Sequence, residues 1–329
     1  MITTRRTKPL NVVPEDLILF ERELERKVPE PEVSYLRHSF VLGNAICFHK
    51  GHRVKESLPI GPYDQHFGWR YFFRERLSYK WRFILDSRNY LLALDAWSFG
   101  YFHWMTDALP RIFFGMSQAK DAVLLLPEGY NEPYHSQSLE VLGIRRIKRL
   151  KKNTITYMKN LYLSHHQGTM GNYNPGIIRN IGDLFRQTAT NHGFGDRIYI
   201  SRTKAVRRKI VNEQDVIRLL DERGFREICF EDYDLKEQIA IAAHAKYLVA
   251  LHGGGLTNIL FMQPGSNVLE LRQETDNKNN CYFTLASELA VNYFYQNCRS
   301  VHAGVVIQNN DLIVDTDLLK KNVDLMLGN

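Results

Sequence analysis

The chain has 329 residues, of which 44% are hydrophobic and 24% charged; these globular averages exclude collagen-like, coiled-coil and low-complexity architectures and make two packed domains the starting expectation. Lysine and arginine number 43 against 36 acidic residues, a formal charge of +7, which suits a polyanion or an anionic small molecule as partner. A nucleic-acid binder ranks low, because the aromatics do not interleave with the basic run as stacking platforms do and no binding motif is present. Cys47, Cys229, Cys281 and Cys298 form no CxxC pair and no metal-type spacing, and read as reduced thiols of a cytosolic protein. No apolar run is long enough to span a bilayer, and the start Met1-Ile2-Thr3-Thr4-Arg5-Arg6 lacks a secretory h-region. A cytoplasmic chain is the expectation.

Residues 1–40 alternate charge and proline (Pro9, Pro14, Pro29, Pro31) without a long apolar period, which predicts an irregular or partly docked arm. Aromatic-rich stretches at 40–48 and 79–94 read as strands or buried elements, and 98–118 has helical spacing that Pro110 interrupts. Residues 122–126 read as a strand, 133–142 as a helix ending at Gly143, and 160–164 as another strand. This first domain is assigned residues 41–185.

The second half is more regular. A strand at 197–201 precedes a helix that Asn212 caps and Gly224 ends, with Val216, Leu219 and Leu220 on one face. A strand at 227–230 follows, then a helix opened by an Asp234 and Glu237 capping box. A buried strand at 247–251 runs into His252-Gly253-Gly254-Gly255, a short helix at 256–262, the turn Gln263-Pro264-Gly265 and a strand through 268–271. That β-α-β series requires right-handed crossovers on a parallel sheet, so residues 186–300 form a Rossmann-like domain, with the seam near 175–195 and a tail at 301–329.

Gly253, Gly254 and Gly255 let the backbone approach a ligand closely, and free helix-start amides can hold an anionic oxygen. The same run also serves a tight turn with no ligand. Open α/β sheets bind ligands beyond the carboxyl ends of their strands, where this loop lies, so a phosphate site is the favoured reading. Strand 197–201 ends at the same edge in Ser201-Arg202, followed by Lys204, Arg207, Arg208 and Lys209. Those cations and the glycine amides can converge on one diphosphate, with Arg202 the leading candidate; a solvated basic loop is the plain alternative. Glu270 closes the next strand, either to accept from a ribose or to partner a nearby cation. In the first half His103 and Asp107 are four apart, so on a helix they share a face where the carboxylate would orient the imidazole and stabilise its charged form. Such a pair can accept a proton or be a satisfied structural contact.

Taken together, Phe99-Gly100-Tyr101-Phe102-His103-Trp104-Met105-Thr106-Asp107-Ala108-Leu109-Pro110-Arg111, then Ile200-Ser201-Arg202 with Arg207-Arg208 and Asn212-Glu213, then Leu251-His252-Gly253-Gly254-Gly255-Leu256-Thr257-Asn258, with Phe261-Met262 and Pro264-Gly265 after it, resemble glycosyltransferase family 61. The resemblance covers roughly residues 95 to 275, and Gly253-Gly254-Gly255 stands where the family usually has glycine-alanine-glycine. It implies a GT-B architecture, two Rossmann-like domains facing across a cleft. It further implies an inverting glycosyltransferase that works without a metal or other cofactor and moves a sugar from a nucleotide-sugar donor to a glycan or lipid-linked glycan acceptor. Bacterial members are commonly assigned to capsule, exopolysaccharide or lipopolysaccharide synthesis. Donor binding then falls to Ser201, Arg202, Arg207, Arg208, His252, Gly253, Gly254, Gly255, Leu256, Thr257, Asn258 and Glu270. Asp107 becomes the base or its orienter, with His103 second for the same proton. The rival reading is a non-catalytic nucleotide-sugar or glycan binding module.

Two acid-x-acid triplets, Asp232-Tyr233-Asp234 and Asp315-Thr316-Asp317, look like divalent-metal motifs but sit where helices open. His165 and His166 diverge on a strand, which argues against a shared metal. Residues 145–152 place six cations in eight positions. They read as a solvated strand edge, or as a peripheral contact with the anionic headgroups of an inner membrane.

Overall fold

Buried apolar runs set the centre of two separate sheets in the computed structural model, which describes residues 1–60, 79–169, 171–190, 193–274, 276–302 and 309–328. The chain divides into one unit of Met1–Ile2 with Val28–Ile177 and a second of Thr3–Lys27 with Ile178–Asn329. Both are α/β.

The amino-terminal stretch, expected as an irregular or partly docked arm, is docked and largely regular: β1 (Ile2–Arg5) pairs with β2 (Glu25–Val28), and α1 (Leu17–Leu24) lies between them. Phe20 of α1 is fully buried, edge-on to Phe283 at 5.1 Å and Tyr295 at 4.9 Å. Arg6 pairs with Glu288 at 3.0 Å, and the Asn11 amide bridges the backbone N–H and carbonyl of Tyr295. One aromatic anchor and side-chain-to-backbone bonds do this work, so no apolar period marks it in the sequence.

In the first unit the sheet runs β5 (His52–Arg53), β4 (Cys47–His49), β3 (Val33–Leu42), β10 (Thr154–Ser164), β7 (Tyr90–Leu92), β8 (Val123–Pro127), β9 (Ile147–Leu150), with β6 (Lys80–Ile84) also on β10. β10, β7, β8 and β9 are parallel, while β3, β4 and β5 add an antiparallel flank. Every residue of β7 and β8 is buried, as strands covered on both faces require. Among the described strands β9 is the edge, and its exposed Lys148 and Arg149 keep that edge solvated. Residues 98–118 differ from expectation, since Pro110 does not interrupt the helix. One α-turn (Tyr101–His103) passes into a π-turn (Trp104–Ala108) and then α2 (Leu109–Gln118), and the wider π-turn directly before Pro110 lets the helical path run on past its missing N–H. α2 rides close on the sheet because Gly115 has no side chain; a Cβ there would stand 2.7 Å from Leu91 Cδ1. α3 (Pro133–Val141) covers the next crossover, and α4 (Pro175–Arg186) contains the division between the units.

In the second unit β12 (Arg226–Ile228), β11 (Arg197–Ile200), β13 (Tyr247–Leu251), β14 (Asn267–Gln273) and β15 (Asn292–Ser300) are parallel, and β16 (Leu312–Ile313) is antiparallel. Around them lie α5 (Glu213–Asp221), α6 (Leu235–His244), a 3₁₀ helix (Gly254–Phe261), α7 (Cys281–Glu288) and α8 (Thr316–Leu327). Val216 and Leu220 of α5 and Leu319 and Val323 of α8 pack on Val249, Leu269 and Phe294. The carboxyl-terminal stretch therefore closes this core. Asn212 precedes α5 but does not cap it through its side chain; its amide instead latches the N–H and carbonyl of Val314. The Asp234 and Glu237 capping box forms as the sequence predicts.

Candidate active site

Both sheets change direction at a definable point. From β11 the chain goes to β12 on one side and then returns to β13 on the other, so the switch lies between β11 and β13. In the first unit β7 has β8 on one side and β10 on the other, and the switch lies between β7 and β10. Ligands of open α/β sheets bind outside the carboxyl ends of the strands at such points.

At the second unit's switch, Glu213 in the first turn of α5 gathers the end of β11. Its Oε1 accepts from the Tyr199 hydroxyl at 2.8 Å, Ser201 Oγ at 3.1 Å and the Arg202 amide at 2.6 Å. Ser201 is therefore buried and shapes the turn. The Arg202 guanidinium donates to the carbonyls of Arg207 and Arg208, at 2.7 Å and 3.3 Å, and its Nη1 lies 3.9 Å from where a Cβ on Gly253 would stand. Arg208 Nη1 donates to the His252 carbonyl at 2.6 Å. Two guanidinium groups thus meet at the glycine loop. Among the described residues no carboxylate lies within ion-pairing distance of either. Burial pushes the Arg208 pKa down, the Tyr282 and carboxylate fields oppose this, and neighbouring Arg202 adds to the fall. Two cations held together at this cost are an arrangement able to hold an anion.

The rest of the basic run disperses. Lys204 pairs with Asp232 at 2.5 Å, and exposed Arg207 donates to Asn309 at 3.2 Å. That pairing and the helix cap account for Asp232 and Asp234, as the cap of α8 accounts for Asp315.

The three glycines have different jobs. A Cβ on Gly255 would stand 3.0 Å from Ile200 Cγ2, so Gly255 brings the 3₁₀ helix onto β11, whereas Gly254 faces open space. The amides of Gly254 and Gly255 open that helix and have no intrahelical partner. Leu256, Thr257 and Asn258 are wholly buried, so they pack the loop from behind and do not present side chains to a solute. Asn258 Nδ2 donates to the Gly255 carbonyl at 3.2 Å. His252 and Glu270 are also buried. The Glu270 carboxylate takes His252 Nδ1 on one oxygen and the Tyr293 hydroxyl at 2.5 Å on the other, while Asn279 Nδ2 donates to His252 Nε2 at 3.1 Å. Burial works to raise the Glu270 pKa, but His252, Arg272 and Tyr293 outweigh it and lower it. Glu270 thus resolves as a structural partner whose oxygens are already taken, and not as a group open to a ribose.

The first unit's switch carries a second cluster. Arg111 of α2 is fully buried and donates to the carbonyls of Ser164 and Glu56. Its Nη1 lies 3.3 Å from Asp95 Oδ2, 3.4 Å from Asp107 Oδ2 and 3.5 Å from His166 Nδ1. The ligand-type atoms of Asp95, Asp107 and His166 fall within 4.8 Å of one another, a spacing able to embrace a cation. The cation they embrace is the guanidinium. Burial works to raise the Asp107 pKa, but Arg111 and the His166 contact outweigh it and hold it at about 2.

His103 stands apart from the pairing expected of it. The hydrogen bonds of the Asp107 carboxylate go to Arg111 and His166, and His103 packs between the rings of Trp97 at 5.5 Å and Phe102 at 5.3 Å. Burial lowers its pKa against the pull of Asp107 and Asp95, so the neutral imidazole is favoured and not the charged form. His165 and His166 do diverge, His165 to Ser34 and His166 to Asp107 and Leu58. Asp95, Arg111, His166, Glu213 and Asn279 drew no assigned role from sequence. Asp95 and His166 follow the carboxyl ends of β7 and β10, which is a readable cue only once those strands are known to be neighbours.

The sequence matches the family described as Glycosyltransferase 61 over residues 101–269, just over half of the chain and inclusive of both clusters' core motifs. The chain belongs to the glycosyltransferase 61 family. It is 30% identical over 133 residues to the EGF domain-specific O-linked N-acetylglucosamine transferase of Canis lupus familiaris, covering 37% of this chain and 25% of that protein. Its likeness to the enzymes of the same name from Mus musculus (29% over 133 residues, 37% and 25% covered) and Drosophila melanogaster (31% over 98 residues, 29% and 18% covered) is similar. The chain thus spans a quarter or less of the length of these relatives.

Proposed function

We propose that this chain is an inverting, metal-independent glycosyltransferase of GT-B type, with the second unit holding a nucleotide-sugar donor and the first a glycan or lipid-linked glycan acceptor. The observation that carries the reading is the convergence of Arg202, Arg208 and the Gly254 and Gly255 amides at the β11/β13 switch point. When the bond from sugar to diphosphate breaks, negative charge collects on the leaving diphosphate, and preorganised donors aimed there stabilise it. Guanidinium groups perform the task that a divalent ion performs elsewhere. At the first unit's cluster Arg111 supplies the countercharge to its carboxylates, which also favours chemistry without a metal.

Asp107 is the group for the acceptor hydroxyl, being the more open carboxylate of its cluster, its side chain 27% exposed against 4% for Asp95. His103, the alternative, keeps the neutral form that a base needs. The names of the animal relatives make an N-acetylglucosamine donor the first to try. The motif resemblance favours an acceptor from bacterial capsule, exopolysaccharide or lipopolysaccharide assembly at the cytoplasmic side. The basic edge strand β9 suits contact with anionic headgroups there. No helix among the described residues is long and apolar enough to cross a membrane.

The test is sugar transfer or donor hydrolysis from a panel of nucleotide-sugars, with and without chelator. Turnover that survives chelation and falls with Arg202→Ala supports the reading. Nucleotide binding without turnover would leave a binding module, and loss of all activity on chelation would remove the metal-independent mechanism.

A further inference from the structure

Asp107 answers two demands that conflict. It is open enough for an acceptor hydroxyl to reach, yet its Oδ2 is paired with the Arg111 guanidinium at 3.4 Å, which favours its charged form. Such a carboxylate is a weak proton acceptor, because general bases work best with a pKa near the operating pH.

His166 stands directly behind it. Its Nε2 lies 2.8 Å from the Leu58 carbonyl, which only accepts, so Nε2 carries a hydrogen. Its Nδ1 lies 3.5 Å from Arg111 Nη1 and 3.3 Å from Asp107 Oδ1. In the neutral ring the Nδ1 lone pair has a donor in Arg111, and in the protonated ring Nδ1–H has an acceptor in Asp107. Both protonation states are satisfied without the ring moving.

We infer that His166 is a positioning residue for the transfer step, receiving at Nδ1 the proton that Asp107 takes from the acceptor hydroxyl. This rests on the glycosyltransferase reading above. In the step, the hydroxyl oxygen bonds to the anomeric carbon of the donor, and the bond from that carbon to the diphosphate oxygen breaks. The electron pair leaves with the diphosphate, and the hydroxyl proton passes through Asp107 Oδ1 to His166 Nδ1. The charged groups facing the imidazole are Asp107, Arg111 and Asp95, whose Oδ2 is 3.5 Å from Nε2. His103 lies in the field of the same two carboxylates, while His165 turns away to Ser34 and Glu32.

The experiment is the pH profile of kcat for the full chain and for His166→Gln and Asp107→Asn. A protonated ring cannot take a second proton, so kcat of the unaltered chain falls on the acid side of its profile. His166→Gln lowers kcat about 100-fold, removes that limb and leaves nucleoside diphosphate affinity unchanged. A variant with undiminished kcat, or one that keeps the limb, overturns the inference. If Asp107→Asn turns over normally, the acceptor-site reading itself falls; if it is inactive while His166→Gln is not, only the role of His166 falls. Should His166→Gln fail to fold, the unaltered chain decides alone, since a kcat with no acid limb contradicts a proton held on imidazole.

Discussion

Arg208 donates from Nη1 to the backbone carbonyl of His252 over 2.6 Å, tying the basic loop after β11 to the first residue after β13. Arg208 does so from a backbone φ of 56°, a left-handed conformation that a non-glycine residue seldom holds. Strain of this kind persists where the surroundings over-determine it, and here it aims a guanidinium at the glycine loop. Replacement by lysine keeps the charge but not the planar fork that can bond His252 and face an anion together. Arg208→Lys should weaken nucleoside diphosphate binding about tenfold, read by calorimetry. Unchanged affinity would put Arg208 outside the anion site.

The glycine loop separates packing from access. Gly254 faces open space, so Gly254→Ala should leave the melting temperature unchanged, while its methyl group stands where the diphosphate would approach and should lower donor affinity. Gly255→Ala forces Ile200 to give way and should cost about 1 kcal/mol, seen as a lower denaturation midpoint. The reverse order of effects would contradict the assignment of these positions.

Asp107 links the first cluster to acid stability. Its carboxyl lies at about 2 in the folded chain against an ordinary 3.8, so its stabilising contribution is complete above about pH 4 and is lost as pH falls toward 2. Unfolding free energy should therefore decline across that window, and Asp107→Asn should make the decline shallower. An identical acid slope in both proteins would mean that the Arg111 and His166 contacts do not favour the charged form.

The amino-terminal segment is expected to act as part of the second unit. Phe20 is fully buried, with the Arg272 guanidinium over its ring at 5.2 Å and Tyr293 beside it at 6.2 Å. Phe20→Ala should cost about 3 kcal/mol or more, measured by chemical denaturation. A loss below about 1 kcal/mol would show that the segment is only loosely docked.

The alternation of strand and helix was legible because each element carries its own signal: the capping box at Asp234, the glycine at Gly224, the apolar run at 247–251. The loop from Gly253 to Gly255 and the cations after Ser201 were legible for the same reason, since strand ends are local features. What was hidden depends on pairing at a distance. Nothing in one sequence says that β10 lies beside β7, so Asp95 and His166 could not be joined to Asp107 and Arg111. Likewise, Leu256, Thr257 and Asn258 share a motif with the glycine loop, yet the 3₁₀ helix turns all three inward. The pairing of Asp107 with His166 instead of His103 reflects that same limit, because i,i+4 spacing proposes a partner while burial and cross-sheet neighbours choose one.

The most direct test of the account is a calorimetric titration of uridine, guanosine and cytidine diphosphates into the full chain and into an Arg202→Ala, Arg208→Ala double variant, with chelator present. The account predicts that at least one nucleotide binds the unaltered chain without metal and that the double variant, still folded, loses that affinity by about 100-fold or more. Equal binding by both proteins would contradict the central claim that these two guanidinium groups hold the leaving diphosphate.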